Sequence, residues 1–211
     1  LRLVAHLPDQ PAGDVVTVVL SSTEFADLTS GDITRLAGIG ADVLDISGNA
    51  VSLMLARISA LQTAGLAFVS SDVVTLSDTA ARIAALTVGD IGQLAEWGVD
   101  RISPSDGSVT LSIAQANAIH DAGIVFTAAS TVVVAGNAAT VAAFSIADIA
   151  ELGSIGVETV SISGDVSLSV AQIEAFNNNN VSLEPGANKV MIVDTGAHIA
   201  AMSGADIAAL A

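Results

Sequence analysis

One sequence block recurs along this chain at an offset of 58 residues, and this repeat limits the fold more than any other feature. Residues 74–91 align without a gap with residues 132–149, and the same offset carries Asp90 back to Asp32. Self-similarity at such a period is typical of repeat architectures, in which each unit buries its apolar face against its neighbours. We divide the chain into a flank over 1–14, modules over 15–72, 73–130 and 131–189, and a truncated module over 190–211.

Each complete module contains two helix starts, most of them with the spacing of a capping box. A hydroxyl residue precedes Asp or Gln by three positions, as in Thr29 with Asp32 and Ser112 with Gln115. In this arrangement the hydroxyl accepts from the N3 backbone amide, and the N3 side chain reaches back. Met54 lacks the hydroxyl, which predicts the weakest helix start. The helices are predicted to end at left-handed residues, namely Gly40, Gly65, Gly98, Gly123, Gly156 and Asn180.

Extended segments follow these helix ends, and an additional short helix precedes three of the capping boxes, over 78–86, 137–144 and 195–202. Connections from strand through helix to strand within one sheet are nearly always right-handed. The pattern therefore predicts an α/β fold. We expect a right-handed solenoid of 58-residue modules, two coils each, with a parallel sheet on one side and short helices on the other.

The extended segments carry a spacing known from one repeat family. Residues 41–51 read A-x-x-L-x-I-x-x-N-x-V, and residues 157–165 read V-x-x-V-x-I-x-x-D. This resembles the strand and turn of a leucine-rich repeat. The resemblance implies that Asn49 and Asp165 satisfy backbone groups of a neighbouring turn, whereas Gly107 occupies that position in the copy between them.

Composition excludes two classes of partner. The formal net charge is −16, and the chain has five Arg and one Lys, so no basic face is available for nucleic acid. Residues 122–147 carry no charge, but the equivalent residues one module earlier include Asp72, Asp78 and Arg82. A lipid-spanning segment would not have charged residues at the equivalent positions of another module, so we expect no membrane insertion.

No residue set indicates catalysis or a cofactor. His6, His120 and His198 occupy different phases of the repeat and are interpreted as surface residues. Trp97 aligns with Ile39 and Ile155 and is interpreted as a core residue. With no cysteine in the chain, thiolate chemistry and Cys-ligated zinc are excluded. We predict a non-enzymatic protein.

Calcium remains an alternative because the chain is so acidic. The ion needs six to eight converging oxygen ligands. The calcium candidates lie at turns in successive modules and are Asp45, Asn49, Asp106 and Asp165.

Two hypotheses about function remain. The acidic, Lys-poor, Cys-free modules resemble repeat regions of large secreted Gram-negative surface proteins of the adhesin or surface-layer type. This implies a structural or adhesive repeat segment of a larger extracellular bacterial protein. The alternative is a leucine-rich-repeat-like module that recognises a protein or glycan on its sheet face. That face would carry Asp42, Asp45, Asp100, Arg101, Glu158 and Thr159.

The expected partners follow from the repeat. Stacked modules expose sheet edges and apolar surface at their ends. We expect Ile207, Leu210 and the strand over 181–183 to face a neighbouring module or another copy of the chain, stacked end to end.

Overall fold

The computed structural model describes residues 15–204 and Ile207. Over this part of the chain, strands and helices alternate, and the strand pairs within each compact unit are parallel. The α/β class with alternating parallel strands and helices is therefore confirmed. The flank over 1–14, together with Asp206 and Leu210, lies outside the described residues.

The bounds of the elements follow the repeat. The strands are β1 (Thr17–Ser21), β2 (Val43–Ser47), β3 (Ala50–Leu53), β4 (Ala67–Phe68), β5 (Val73–Asp78), β6 (Val99–Pro104), β7 (Ser108–Ser112), β8 (Val125–Phe126), β9 (Thr131–Asn137), β10 (Thr159–Ser163), β11 (Val166–Leu168), β12 (Ser182–Glu184) and β13 (Val190–Ile192). The helices are α1 (Ser22–Asp27), α2 (Ser30–Gly38), α3 (Leu55–Thr63), α4 (Ala80–Ala84), α5 (Val88–Glu96), α6 (Ile113–Asp121), α7 (Ala138–Ala142), α8 (Ile146–Ser154), α9 (Val170–Asn178) and α10 (Gly196–Ala201).

The chain forms two compact units. The described part of the first unit covers residues 15–78 and 93–102. Within it, β2 lies between β1 and β4, and β3 pairs with β5. Inward residues of the strands, such as Leu44 and Ile46, are fully buried together with Leu36 of α2. This alternation of buried and exposed residues is the period-two pattern of a strand with one face on a core.

The second unit covers residues 79–92 and the described residues from Ser103 onward. Its larger sheet has the order β12-β10-β9-β7, and β11 pairs with β13. Val134 and Val160 are fully buried in adjacent strands of that sheet. Helix α8 contacts both α6 and α9.

The predicted helix boundaries are confirmed where the structure describes them. Complete capping boxes begin α2, α6, α8 and α9, and Thr87 with Asp90 makes the same bonds before α5. Met54 makes no side-chain cap bond at α3. The six predicted helix-closing residues all have positive φ, including Asn180 at 55°.

One feature of the strands was not predicted from the sequence. We expected a single strand after each helix end, but two strands separated by a turn follow, as β2 and β3 do. Gly48 and Asn49 form that turn with φ of 100° and 55°. The second strand, β3, pairs with β5, whereas β2 pairs with β1 and β4. Its inward residues Val51 and Leu53 are buried, as those of β2 are.

Candidate functional site

Two residues of the predicted recognition face bind neighbouring backbone. The Asp42 carboxylate, just before β2, accepts a hydrogen bond from the Val16 amide at 2.8 Å. One module later, the Asp100 carboxylate accepts from the Val74 amide at the same distance. Both side chains therefore have a structural partner between adjacent strands, which reduces their capacity to contact a ligand.

The remaining residues of that face differ in exposure. Arg101 and Glu158 are exposed, whereas Asp45 and Thr159 are half-buried. Val43, Arg101 and Thr159 occupy the same repeat position in successive modules, so this position varies in size and charge.

Three of the four calcium candidates make hydrogen bonds with the backbone. Asn49 donates its side-chain amide to the Ser71 carbonyl at 3.2 Å. Asp106 accepts from the Ala80 amide at 2.6 Å, and Asp165 accepts from Lys189 at 2.8 Å. The bonds expected of Asn49 and Asp165 to a neighbouring turn are thus confirmed. Within residues 15–204, no cluster of three or more His, Asp or Glu side chains is arranged to hold a metal ion.

Two further aspartates, at the start and end of β5, are buried. Asp72 is 5% exposed, and one of its carboxylate oxygens accepts from the Ile46 amide at 2.9 Å. Asp78 is 4% exposed and accepts from the Leu55 amide at 3.1 Å, at the first residue of α3. Asp78 therefore supplies an N-terminal partner to the helix that Met54 leaves without a side-chain cap.

The N3 residues of α3, α6 and α9 make a bond that the sequence analysis missed. The Gln115 side-chain amide donates to the carbonyls of Ala84 and Leu86, at the end of α4, at 2.9 and 2.7 Å. Gln172 repeats this at the end of α7. Arg57, in the equivalent position, donates to carbonyls at the end of α1. The recurrence of a long amide or guanidinium at N3 was the available signal.

The two described histidines lie apart in the sequence, and each is close to acidic side chains. Nδ1 of His120 lies 3.8 Å from Asp121 and 3.9 Å from Glu151. Nδ1 of His198 lies 2.6 Å from the Asp194 carboxylate, with the imidazole largely exposed. The Thr195 amide, followed by His198, lowers the pKa of Asp194 below its ordinary value because each bonds the charged form. The i,i+4 spacing of Asp194 and His198 was the sequence signal for this pair.

A cavity of about 190 Å³ lies in the first unit beside Trp97. Trp97 is half-buried, unlike Ile155 at the equivalent position, which is 2% exposed. The expectation of a core tryptophan is therefore met only in part, because one side of the indole faces this cavity.

Comparison with known proteins gives no family. No family model matches this chain, and no curated protein matches its sequence. None of the helices in the described part of the chain is both long and apolar enough to cross a bilayer.

Three of the solved structures that match this chain show distant likenesses. One is an isomerase from Streptomyces coelicolor A3(2), at 13% identity and a TM-score of 0.24, covering 80% of this chain. Another is the carboxyl transferase domain of Rhizobium etli pyruvate carboxylase, at 9% identity and 0.25, covering 91%. The chain spans only 45% and 43% of those two proteins. Orotidine 5'-phosphate decarboxylase from Lactobacillus acidophilus aligns at 8% identity and 0.19, covering 80% of this chain and 94% of that one. These TM-scores are too low to assign a fold or an activity.

Proposed function

We propose that this chain is a non-enzymatic structural or adhesive repeat segment of a larger extracellular bacterial surface protein. Its modules would stack as the coils of a right-handed solenoid. One observation carries the proposal: the repeated acidic side chains bond the backbone of a neighbouring repeat segment. The bonded pairs are Asp42 with Val16, Asp72 with Ile46, Asp78 with Leu55, Asp100 with Val74, Asp106 with Ala80, Asp165 with Lys189 and Asp194 with Val170.

This use of carboxylates favours a scaffold over an enzyme. A catalytic acid or base needs a side chain that faces a substrate with its proton-accepting atom available. Here the repeated carboxylates accept from amides at helix starts and from amides in or next to strands, and buried backbone donors need such partners. The long N3 side chains Gln115 and Gln172 satisfy the carbonyls at the opposite helix ends. Polar side chains, some as acceptors and some as donors, thus join one repeat to the next.

The second unit presents a surface suited to further stacking. Among the described residues, β12 and β13 each pair with a strand on one side only. Beside β12, a groove of about 470 Å³ has a mixed lining, with Ile173, Phe176, Val181 and Leu183 beside Asn177, Asn180 and Ser182. Met191 and Val193, in and just after β13, are 44% and 64% exposed. An unpaired strand edge with exposed apolar side chains is a template for pairing with another chain.

Self-association tests this role. We expect the weight-average mass from sedimentation equilibrium to rise above the 20.9 kDa of the monomer as concentration increases from about 5 µM to about 500 µM. The double substitution Met191→Lys with Val193→Lys places charge on the β13 edge and is expected to abolish that rise. Val88→Lys is the control, because Val88 is also an exposed apolar residue, at 51%, but belongs to α5 and not to β13.

The outcomes separate cleanly. A rise that the edge variant removes and Val88→Lys retains supports stacking through β13. A strictly monomeric chain at all concentrations, or equal loss in both variants, argues against a stacking segment.

Recognition on the sheet face is the second candidate function. It is favoured by the variation at the position of Val43, Arg101 and Thr159, because a binding surface needs side chains that differ between repeats. Binding of a protein or glycan that Arg101→Ala weakens and that Lys189→Ala retains would support this role. The control residue Lys189 is also exposed, and the hydrogen bond from its backbone amide to Asp165 does not depend on its side chain.

A further inference from the structure

The cavity beside Trp97 belongs entirely to the first unit. Its apolar wall consists mainly of α3 and the strand residues that follow it, and its other wall is the end of α5. The lining residues are Ile58, Leu61, Gln62, Gly65, Leu66, Ala67, Phe68, Val74, Glu96 and Trp97. Its volume of about 190 Å³ corresponds to about six water molecules at ~30 Å³ each, which is room for a small organic molecule.

The repeat provides an internal reference for this cavity. At the equivalent place in the second unit, Phe126 and Ile155 are 6% and 2% exposed, and the Phe126 amide donates to the Ile155 carbonyl at 2.8 Å. A Cβ placed on Gly156 would lie 3.4 Å from the Cβ of Phe126. A Cβ placed on Gly98, the equivalent of Gly156, meets no atom within 4 Å. The chain at Gly98 therefore leaves open space beside the end of α5 in the first unit, where the equivalent glycine after α8 lies against Phe126.

Two adjacent departures from the repeat coincide at this cavity. Trp97 replaces the isoleucine found at positions 39 and 155, and Glu96 replaces Gly38 and Ser154. Together they place an indole ring and an exposed carboxylate at the same opening. Elsewhere, recurring polar residues bond the backbone of the next repeat, whereas these two residues are unique to one module.

The charges at the opening select the sign of a ligand. None of the ten lining residues is basic, Glu96 is acidic, and the chain carries a formal charge of −16. A cation near a tryptophan face gains a further attraction from the ring quadrupole. An apolar ligand with an amino group therefore satisfies the ring, the aliphatic wall and the carboxylate at once.

We propose that this cavity is a binding site for a small hydrophobic ammonium compound, an aryl- or alkylamine in its protonated form. The hydrocarbon part occupies the space between α3 and Trp97. The ammonium group lies at the opening, beside the Glu96 carboxylate and the indole. Gln62, at the same opening, supplies a side-chain amide that orients the ligand.

Tryptophan fluorescence gives a direct measurement. Trp97 is the sole tryptophan, and the chain has no tyrosine, so the emission reports this cavity alone. Titration of the full chain with 2-phenylethylammonium at neutral pH is expected to give a saturable change with a Kd on the order of 1 mM or tighter. The neutral 2-phenylethanol is expected to bind about fivefold more weakly. The anionic 3-phenylpropionate is expected not to bind.

Variants separate the contributions of the two residues. Glu96→Gln is expected to reduce the preference for the ammonium over the alcohol, because only the attraction of the indole remains, while weak binding of both is retained. Trp97→Ile restores the side chain of the other modules and is expected to abolish binding measured by calorimetry, with an unchanged or raised melting temperature. Glu174→Gln, at an exposed position of α9 in the second unit, is the control and is expected to bind as the unaltered chain does.

Three results would overturn the proposal. The first is the absence of a saturable response to 2-phenylethylammonium, and the second is equal affinity for the ammonium and the alcohol. The third is undiminished binding by Trp97→Ile. None of these results bears on self-association through the β13 edge.

Discussion

At the scale of single residues, the helix start at α3 depends on a side chain far away in the sequence. Met54 gives no cap bond, and Asp78 accepts from the Leu55 amide instead. Asp106 makes the corresponding bond to Ala80 at α4, but that helix also has the Thr79 hydroxyl as its own cap. The same kind of bond to a helix start is therefore more important at α3 than at α4.

Asp78→Ala is expected to lower the free energy of unfolding by about 2 kcal/mol, because a part-buried amide at α3 loses its acceptor. Asp106→Ala is expected to cost less than about 1 kcal/mol, since Asp106 is exposed and Thr79 remains. Urea titrations followed by far-UV circular dichroism measure both. Equal losses would contradict the special role of Asp78.

Gly98→Val is expected to destabilise the chain by about 2 kcal/mol, because φ at Gly98 is +79° and a β-branched residue is strained there. No atom lies within 4 Å of a Cβ at this position, so the cost is conformational and not steric. Asn180→Gly, at a φ of 55°, is the comparison and is expected to change stability by less than about 0.5 kcal/mol. Thermal melts of the two variants measure these changes in stability. Equal losses of stability would exclude a helix-closing role for Gly98.

At the scale of elements, each N3 glutamine joins two helices. The Gln115 carbonyl oxygen accepts from the Ser112 amide in the capping box of α6, and its amide donates to the end of α4. The two ends of a helix leave donors at one terminus and acceptors at the other. A side chain with both a donor and an acceptor satisfies one of each, so stacking and capping depend on the same residue.

Gln115→Glu is expected to destabilise the chain by about 2 kcal/mol. Glutamate keeps the acceptor for Ser112 but loses the donors to Ala84 and Leu86, and it places a negative charge against their carbonyls. Gln93→Glu makes the same chemical change at an exposed position of α5 and is expected to be nearly neutral. A denaturant titration that gives equal midpoints for the two variants would refute the joining role.

Stability is expected to fall in acid partly through the capping boxes. The Thr87 hydroxyl, followed by the Thr87 amide, lowers the pKa of Asp90 below its ordinary 3.8. Because the folded pKa is depressed, the stabilisation is present above the ordinary value and is lost as pH falls through the folded one. Asp90→Asn retains an acceptor but does not titrate there. Its melting temperature is therefore expected to fall less than that of the unaltered chain between about pH 5 and about pH 3.

At the scale of the whole molecule, the carboxylates of the described residues are spread along the chain. The described carboxylates at turns are distributed along successive modules, and each of Asp106 and Asp165 accepts a backbone amide from its own neighbour. A calcium ion would have to gather several such oxygens around one point. The acidic side chains instead make separate hydrogen bonds between adjacent segments.

Millimolar calcium is expected to shift the melting temperature by less than about 2 °C, and a chelator is expected to have no effect. Differential scanning calorimetry with calcium, with magnesium and with chelator measures this. A large, saturable increase specific to calcium and reversed by chelator would show that the turns form an ion site after all.

The amino-acid sequence by itself determined the local features that recur, because capping and helix closure depend on residues only a few positions apart. The boxes at Thr29 and Ser112 and the left-handed Gly98 and Asn180 were readable from spacing alone. The α/β class followed from their order.

The tertiary structure decided which distant groups meet. Nothing in the local pattern places Asp78 at α3 or joins Gln115 to the end of α4, because these bonds depend on how segments 23 to 31 residues apart come together. The cavity at Trp97 has the same origin. A larger residue at an apolar repeat position predicts a fuller core when only the sequence is considered. In the folded chain Trp97 is only half-buried and lines a cavity, since close packing requires complementary shapes on both sides of a contact.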